Sequence, residues 1–422
     1  MNQSSSSSAG VSTAAAALAF LLGTLFFAYA FIQRVAPSVM TTELMREFSV
    51  GAAALGSLSA FYFYAYAAIQ MPVGLLTDRF GPRKLMSTAA ALCAGASLLF
   101  AYSDGLWMAS FARALVGVTV AFAFVGTMSI AGFWFKPAHY ALCAGLLQMV
   151  GMGGAVFGQA PLRILVEGVG WRGAMEVLAV VAVALAVLVY LCVPRRSASQ
   201  RQQTERPSIL QGSLRVAGNR QTWWCALIGF GMAGPMLGFG GLWGVPWLVS
   251  VHGYNTAQAA GIVSMLFAGW AVFSPFIGWF SDRIGWRNPL VIGGALLEMA
   301  AFAGVVLATP DDTAVLMLLV FLTGVGGATM TVAFSSVREL NDLQLSSTSL
   351  GVMNMCVVGS GAVMQPLIGV LLDARWDGTM IGGVRHYAAA DYTYAFSSFL
   401  FIVAAALIAA IVLRETRCQQ QA

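Results

Sequence analysis

The sequence predicts an all-α membrane protein, with twelve transmembrane helices arranged as two six-helix bundles. Three observations carry that expectation. Of 422 residues, 59% are hydrophobic and only 9% charged, with a mean hydropathy of +0.79, too little polar surface for a folded globule of this length in water. Apolar runs long enough to span a bilayer, about twenty residues each, recur along the whole chain. A compact knot of charge then appears twice, at half-chain distance.

The apolar runs fall at roughly 14–40, 53–76, 84–103, 105–132, 138–163 and 173–193, then at roughly 222–250, 257–280, 288–308, 313–338, 347–372 and 392–413. We number them crossings 1 to 12; very short turns join the pairs near 104 and 310. An even number of crossings puts both chain ends on one side, and the basic residues say which side that is. The side holding the chain ends carries Arg79, Arg83, Lys84, Lys136, Arg195, Arg196, Arg201, Arg206, Arg215, Arg220, Arg283, Arg287, Arg338, Arg414 and Arg417. The other carries Arg46, Arg163, Arg172, Arg375 and Arg385, and only Arg34 and Arg113 remain within spans. Both ends are therefore expected in the cytoplasm, with the body in the membrane.

Residues 1–13, MNQSSSSSAGVST, have neither the basic start nor the cleavage site of a secretory signal, and read as a retained, disordered tail. Bundles at 14–193 and 222–413 flank a polar linker at 194–221, whose six arginines against Glu205 suit the cytoplasmic lipid headgroups; residues 414–422 read as a second tail. The net charge of +5 is spread over connecting loops, so topology explains it and nucleic acid is not an expected partner. Six cysteines without paired short spacing, most inside apolar runs, imply neither a disulfide framework nor a metal site. No phosphate loop, nucleophile–base pair or metal cluster is present, so enzyme chemistry and cofactors are not expected.

The duplicated motif aligns Gly74, Asp78, Arg79, Gly81 and Arg83 with Gly278, Asp282, Arg283, Gly285 and Arg287, 204 residues on. Gly74 and Gly278 are expected to let a neighbouring helix come close. Asp78 and Asp282 sit where a carboxylate can meet a neighbouring helix N-terminus, and Gly81 and Gly285 suit a tight turn. Such a cluster would latch one bundle to the other and release as they rock apart, in the parallel-repeat architecture of some transporters.

With these residues the chain resembles the major facilitator superfamily, whose signature between helices 2 and 3 has this glycine–aspartate–base pattern. RALVGV at 113–118 and GWR at 170–172 extend the likeness, which covers essentially the whole chain. The resemblance implies a two-bundle fold that binds a small-molecule substrate near the midplane and works by alternating access, driven by an ion gradient, with protons as the candidate ion, or by the substrate's own gradient. The chain is expected to act as a monomer in the lipid bilayer.

Charge inside hydrocarbon marks function by default. Arg34 shares a face of crossing 1 with Phe27 and Phe31, and this helix resembles that of superfamily organic-phosphate exchangers, which place a substrate-binding arginine similarly. Crossing 7 is neutral, so one carboxylate, on an amino acid or small organic acid, fits better than a phosphate held by two arginines; bracing of helix 1 is the plain alternative. Arg113 matches the superfamily's arginine motif, which implies a part in coupling; its plain reading is a hydrogen-bond hub. Glu298 in crossing 9 is the acid deepest in a span and the candidate proton carrier, although crossing 9 packs outside the cavity in the superfamily. His139, His252 and His386 lie in loops or at helix ends.

Neutral groups that would line the cavity in proteins this sequence resembles are Tyr62, Tyr66, Gln148, Gln159, Trp243 and Asn354, with helix packing the alternative for each. Gly151, Gly153, Gly154 and Gly158 of crossing 5 read as close packing between bundles. Drug antiporters of the superfamily carry a Gly-Pro ending there, whereas Pro161 does not follow a glycine. RVAPSVM and LWGVPWL resemble the phagosomal amino-acid importers of the superfamily. Uptake of a carboxylate-bearing metabolite is thus the leading expectation; efflux of a drug or siderophore, and a non-transporting sensor or assembly factor, are the alternatives.

Overall fold

A computed structural model describes residues 13–135, 140–194, 209–342 and 345–421. Lys136, His139 and the linker residues 195–208 fall outside them. Among the described residues, eleven helical stretches are long and apolar enough to cross a membrane. One of them, Leu142–Cys192, has 51 residues and turns back on itself at Gln159 (φ −99°, ψ −109°) and Gly170 (φ 75°, ψ 166°), so it supplies crossings 5 and 6. The twelve expected crossings are all present.

Chemistry at their ends fixes where many of them begin and stop. Asn219 accepts from Gln221 N at the start of crossing 7, Asn255 and Gln258 form a capping box at crossing 8, and Asp312 accepts from Ala314 N and Val315 N at crossing 10; each satisfies donors that a helix start leaves bare. Gly81 (φ 79°) and Gly285 (φ 69°) end crossings 2 and 8 in the left-handed region, as the motif predicted.

The two halves repeat in structure. Crossing 4 (Leu106–Val120 and Phe122–Trp134) and crossing 10 (Thr313–Ala328 and Met330–Glu339) are each interrupted near their middle. Where crossing 4 meets crossing 2, Gly117 lies against the Tyr62 carbonyl; where crossing 10 meets crossing 8, Gly324 lies against the Leu266 carbonyl. Tyr62 and Leu266 stand 204 residues apart, the offset of the two motif copies.

One expectation needs correcting, and two connecting or terminal segments carry structure of their own. The glycines of crossing 5 do not pack between bundles: Gly151, Gly154 and Gly158 seat crossing 5 on Phe27, Ala28 and Val35 of crossing 1, inside the first bundle, and Gly153 faces open space. The segment read as linker contains a helix, Ile209–Gly218, whose Val216 is buried with Leu345 and Val352. The segment read as a tail folds back: Glu415 accepts from Arg287 N (3.0 Å) and Asn288 N (2.8 Å), and Gln421 N donates to the Glu339 carbonyl at 2.8 Å.

The bundles meet along two seams, crossing 2 with crossing 11 and crossing 5 with crossing 8. At the face opposite the chain ends, here the distal face, the first seam is tight. Gly56 lies on the Gln365 carbonyl, Gly361 on Phe63 and Gly369 on the Ala52 carbonyl. Toward the terminal face the same helices part, and Gly74, Gly145, Gly278 and Gly351 all face open space. The molecule is closed at one end and open at the other.

Gly154→Ala is expected to lose about 1–3 kcal/mol of stability, because its Cβ would overlap the Ala28 carbonyl, whereas Gly153→Ala on the same helix should be neutral or slightly stabilising. Thermal unfolding of the two purified variants, side by side, checks this.

Candidate functional site

Crossings 1, 2 and 4 bring four of the predicted polar groups together in the first bundle. Arg34 ends the helix of crossing 1, 5% exposed, with its guanidinium 4.3 Å from the Phe31 ring centre, 5.4 Å from Tyr66 and 5.7 Å from Tyr62. Its Nε donates to Tyr62 Oη at 3.4 Å. Tyr62 and Tyr66, one turn apart on crossing 2, stack with ring centres 6.1 Å apart and planes at 16°. Arg113 of crossing 4 stands 5.0 Å from the Tyr62 ring and donates through Nη1 to the Gln33 carbonyl at 2.8 Å. Cation–π contacts of this kind are worth up to about 2 kcal/mol once desolvated.

Two features make this cluster chemically unusual. Among the described residues neither Arg34 nor Arg113 has a carboxylate partner, and Nε and Nη2 of Arg113 are buried with no acceptor. Buried guanidinium donors left open in this way demand an anion or acceptor. Sequence reasoning missed the residue that holds Arg113 in place. Gln33 is buried, and its Nε2 donates to Tyr29 Oη (2.5 Å) and Ser97 Oγ (2.9 Å), while Tyr29 Oη donates to the Leu178 carbonyl (3.1 Å). The available signal was a glutamine beside an intramembrane arginine.

Gln159 and Trp243 lie elsewhere, at the distal closure. Gln159 Nε2 crosses the bundle boundary to the Gly240 carbonyl (2.9 Å), and its Oε1 accepts from Ser38 Oγ (3.3 Å). Trp243 is buried within the second bundle, its Nε1 donating to the Gln365 carbonyl (2.9 Å). Gln365, also missed, leaves Oε1 buried without a partner; its position beside Pro366 in a long apolar run was the only clue. Gln148 and Asn354 are half-buried on crossings 5 and 11.

Glu298 is 1% exposed and does not face lipid. It sits against Gly326 and Gly327 of crossing 10, near the Trp270 ring, with Oε2 unpartnered among the described residues. It is far along the chain and in the other bundle from the arginines. His252 is half-buried with Nε2 unpartnered, packed between Trp247 and Tyr254.

The motif copies differ. Gly74 and Gly278 do not receive a neighbouring helix, because the seams are open at their level. The Asp78 side chain lies outside the described residues. Asp282, 69% exposed, meets Arg287 Nη1 at 2.7 Å and not a helix N-terminus. Arg287 also pairs with Glu339 (2.6 Å); burial pulls its pKa down, and the two carboxylates more than reverse this, for a net upward shift. Arg83, its counterpart, rests on the Tyr190 ring at 4.8 Å and leaves Nε buried and unpartnered. Arg79 and Arg283 are exposed beside Phe80 and Trp279.

Two repeated bundles, closed on one face and open on the other, surround a buried charge cluster. The chain belongs to the Major Facilitator Superfamily, whose sequence profile matches residues 21–356. It is 34% identical over 118 residues to a class E tetracycline resistance protein of Escherichia coli, covering 27% of this chain and 28% of that one. It is 32% identical over 132 residues to the multidrug resistance protein MdtL of Shewanella oneidensis, covering 31% and 32%. These alignments span about a third of each relative or less. Among solved structures, a bacterial homologue of the human lysosomal transporter Spinster, inward-facing and occupied, superposes with a TM-score of 0.77 at 16% identity over 96% of this chain and 97% of that one. The nucleoside transporter NupG gives 0.76 at 14% identity over 94% and 99%. At such identities the likeness is one of fold.

Removing Arg287 strands two carboxylates near the terminal face. Arg287→Gln should cost roughly 3 kcal/mol, and adding Glu339→Gln should recover part of the loss, as a double-mutant cycle in thermal unfolding would show.

Proposed function

We propose that this transporter takes up a small carboxylate-bearing metabolite, an amino acid or organic anion, across a bacterial inner membrane. The observation that carries the reading is the pair of buried guanidinia without a carboxylate. A substrate carboxylate reaching Arg34 from the open face would supply the missing negative charge and accept from donors that the Phe31, Tyr62 and Tyr66 rings cannot satisfy. The rings exclude water and strengthen that attraction. The organic part of the substrate would lie toward the second bundle, where Gln365 offers an unfilled acceptor.

The terminal face is cytoplasmic in this reading, so the molecule is inward-facing. The distribution of basic residues supports this orientation: fifteen of the twenty-two lysines and arginines belong to the terminal side and five to the distal side. The motif residues Gly74, Asp78, Arg79, Gly81, Arg83, Gly278, Asp282, Arg283 and Gly285 then act as the cytoplasmic gate, made when the bundles rock the other way. Protons are the coupling ion, with Glu298 as carrier and Arg113 sensing the charge of the site. One chain is the working unit.

Efflux is the second reading, favoured by the names of the two relatives above. A deletion strain with altered drug resistance and unchanged metabolite uptake would select it.

Uptake of labelled amino and organic acids into proteoliposomes under an imposed proton gradient tests the proposal. Arg34→Ala should lower uptake at least a hundredfold and Arg34→Lys less, since a point charge loses the planar fork; wild-type rates in Arg34→Ala would overturn it. Glu298→Gln should abolish gradient-driven accumulation while sparing substrate exchange between the two sides. Exchange and accumulation falling together would remove Glu298 from the coupling role.

A further inference from the structure

We infer that Asp373, held by the loop between crossings 11 and 12, is a distal latch that clasps the start of crossing 2 and favours the conformation seen here. Crossing 11 spans Ser346–Arg375 and crossing 2 spans Ala52–Phe80, so the contact joins one bundle to the other. The first turn of crossing 2 has no side-chain cap of its own from Gly51. Its bare donors are met from across the boundary: Ala53 N donates to Asp373 Oδ2 at 2.9 Å and Ala52 N to Asp373 Oδ1 at 3.2 Å. An acid placed on the positive end of a helix gains from both hydrogen bonds and the helix dipole.

The loop that follows is built to keep the acid there. Residues Met380–Ile381 and Val384–Arg385 form a small antiparallel hairpin turned by Gly382 (φ 60°) and Gly383 (φ 79°), the backbone that a two-residue turn needs. Trp376 Nε1 donates to the Thr379 carbonyl (2.9 Å), and the Arg385 guanidinium lies 4.3 Å from the Trp376 ring centre. The hairpin thereby delivers Arg385 Nη1 to Asp373 Oδ1 at 3.1 Å, and Tyr387 Oη donates to the same oxygen while accepting from Ala52 N at 3.0 Å. Gly51 is the residue that admits the group: a Cβ there would lie 2.7 Å from Arg385 Nη1 and 2.8 Å from both carboxylate oxygens.

The bonds from Ala52 N and Ala53 N exist only while the distal ends of crossings 2 and 11 touch. Opening that face breaks them and leaves the helix start only water, while Asp373 keeps Arg385 and Tyr387 from its own bundle. The latch therefore contributes free energy to one conformation alone, which is what shifts a two-state equilibrium. It also reverses the arrangement expected of the motif. There an acid on crossing 2 was to serve the terminal face; here an acid on crossing 11 caps crossing 2 at the distal face. This inference is independent of the substrate.

Paired spin labels on full-length, cysteine-free protein in lipid nanodiscs test it without any ligand. One pair, Trp107→Cys with Asp311→Cys, reports the distal separation; another, Leu191→Cys with Arg414→Cys, reports the terminal one. Asp373→Ala and Gly51→Ala should each lengthen the distal distance and shorten the terminal one, a change of about tenfold in the ratio of the two populations, the scale of one lost helix cap and ion pair. Arg385→Gln should act in the same direction and more weakly, and it carries the test should Asp373→Ala fail to yield monodisperse protein. Unchanged distances in the folded Asp373 or Arg385 variants overturn the inference. So does a shift confined to Gly51→Ala, which would trace the effect to backbone packing and not to the acid.

Discussion

The interaction on which this molecule turns is a guanidinium resting on a backbone carbonyl: Arg113 on Gln33, 2.8 Å apart and buried in hydrocarbon. A charge at that depth is costly unless its donors are met. Meeting one of them fixes crossing 4 against crossing 1, and Gln33 in turn ties Tyr29 and Ser97 into the same network. The rigid frame that results positions Tyr62, and Tyr62 positions Arg34. Donors that stay unmet on Arg113 cannot be dismissed as a defect of packing, because the scaffold around them is otherwise well satisfied.

Duplication explains the frame, and departure from it explains the chemistry. The helix approaches through Gly117 and Gly324 repeat at matching places. The side chains around them do not. Where the first half has Tyr62 and Tyr66, the second has Leu266 and Trp270, each 204 residues on, and where Arg113 stands four before Gly117, Val320 stands four before Gly324, all three replacements buried. Glu298 stands 204 residues after Ala94. One bundle has thus kept cations at its centre, and the other has kept a lone acid at its flank. The terminal-face motifs diverged too: Arg287 found Glu339 and Asp282, while Arg83 settled on an aromatic ring.

Much of this was legible in the residues themselves. Run length gave the crossings, because the bilayer imposes one length on every helix, and the repeated motif gave the halves. The cage of Phe31, Tyr62 and Tyr66 around Arg34 was half visible: helical spacing put Phe31 beside Arg34 and Tyr62 beside Tyr66, but not the one pair against the other. What stayed hidden depends on contacts between distant segments. Gln159, read as lining the cavity, proves to bridge the bundles because crossing 5 ends just where crossing 7 bends. Gly74 and Gly278 were read as contacts, yet both face open space in this conformation. The acid at 373 looked like an ordinary helix end, since nothing local announces that its partner lies 320 residues earlier.

Crossing 7 holds one more feature of consequence. Its middle, Pro235–Trp243, is wound as a π-helix and bears both the Gly240 carbonyl gripped by Gln159 and the indole bonded to Gln365. Such a coil carries slack: it packs more residues into a given rise than an α-helix does. Rewinding it by a single residue would swivel everything beyond by about 100° while each peptide group kept a bonding partner. The helix that receives the Gln159 bond across the boundary thus has a built-in swivel, and the two lobes are joined there by a screw thread and not by a rigid rod.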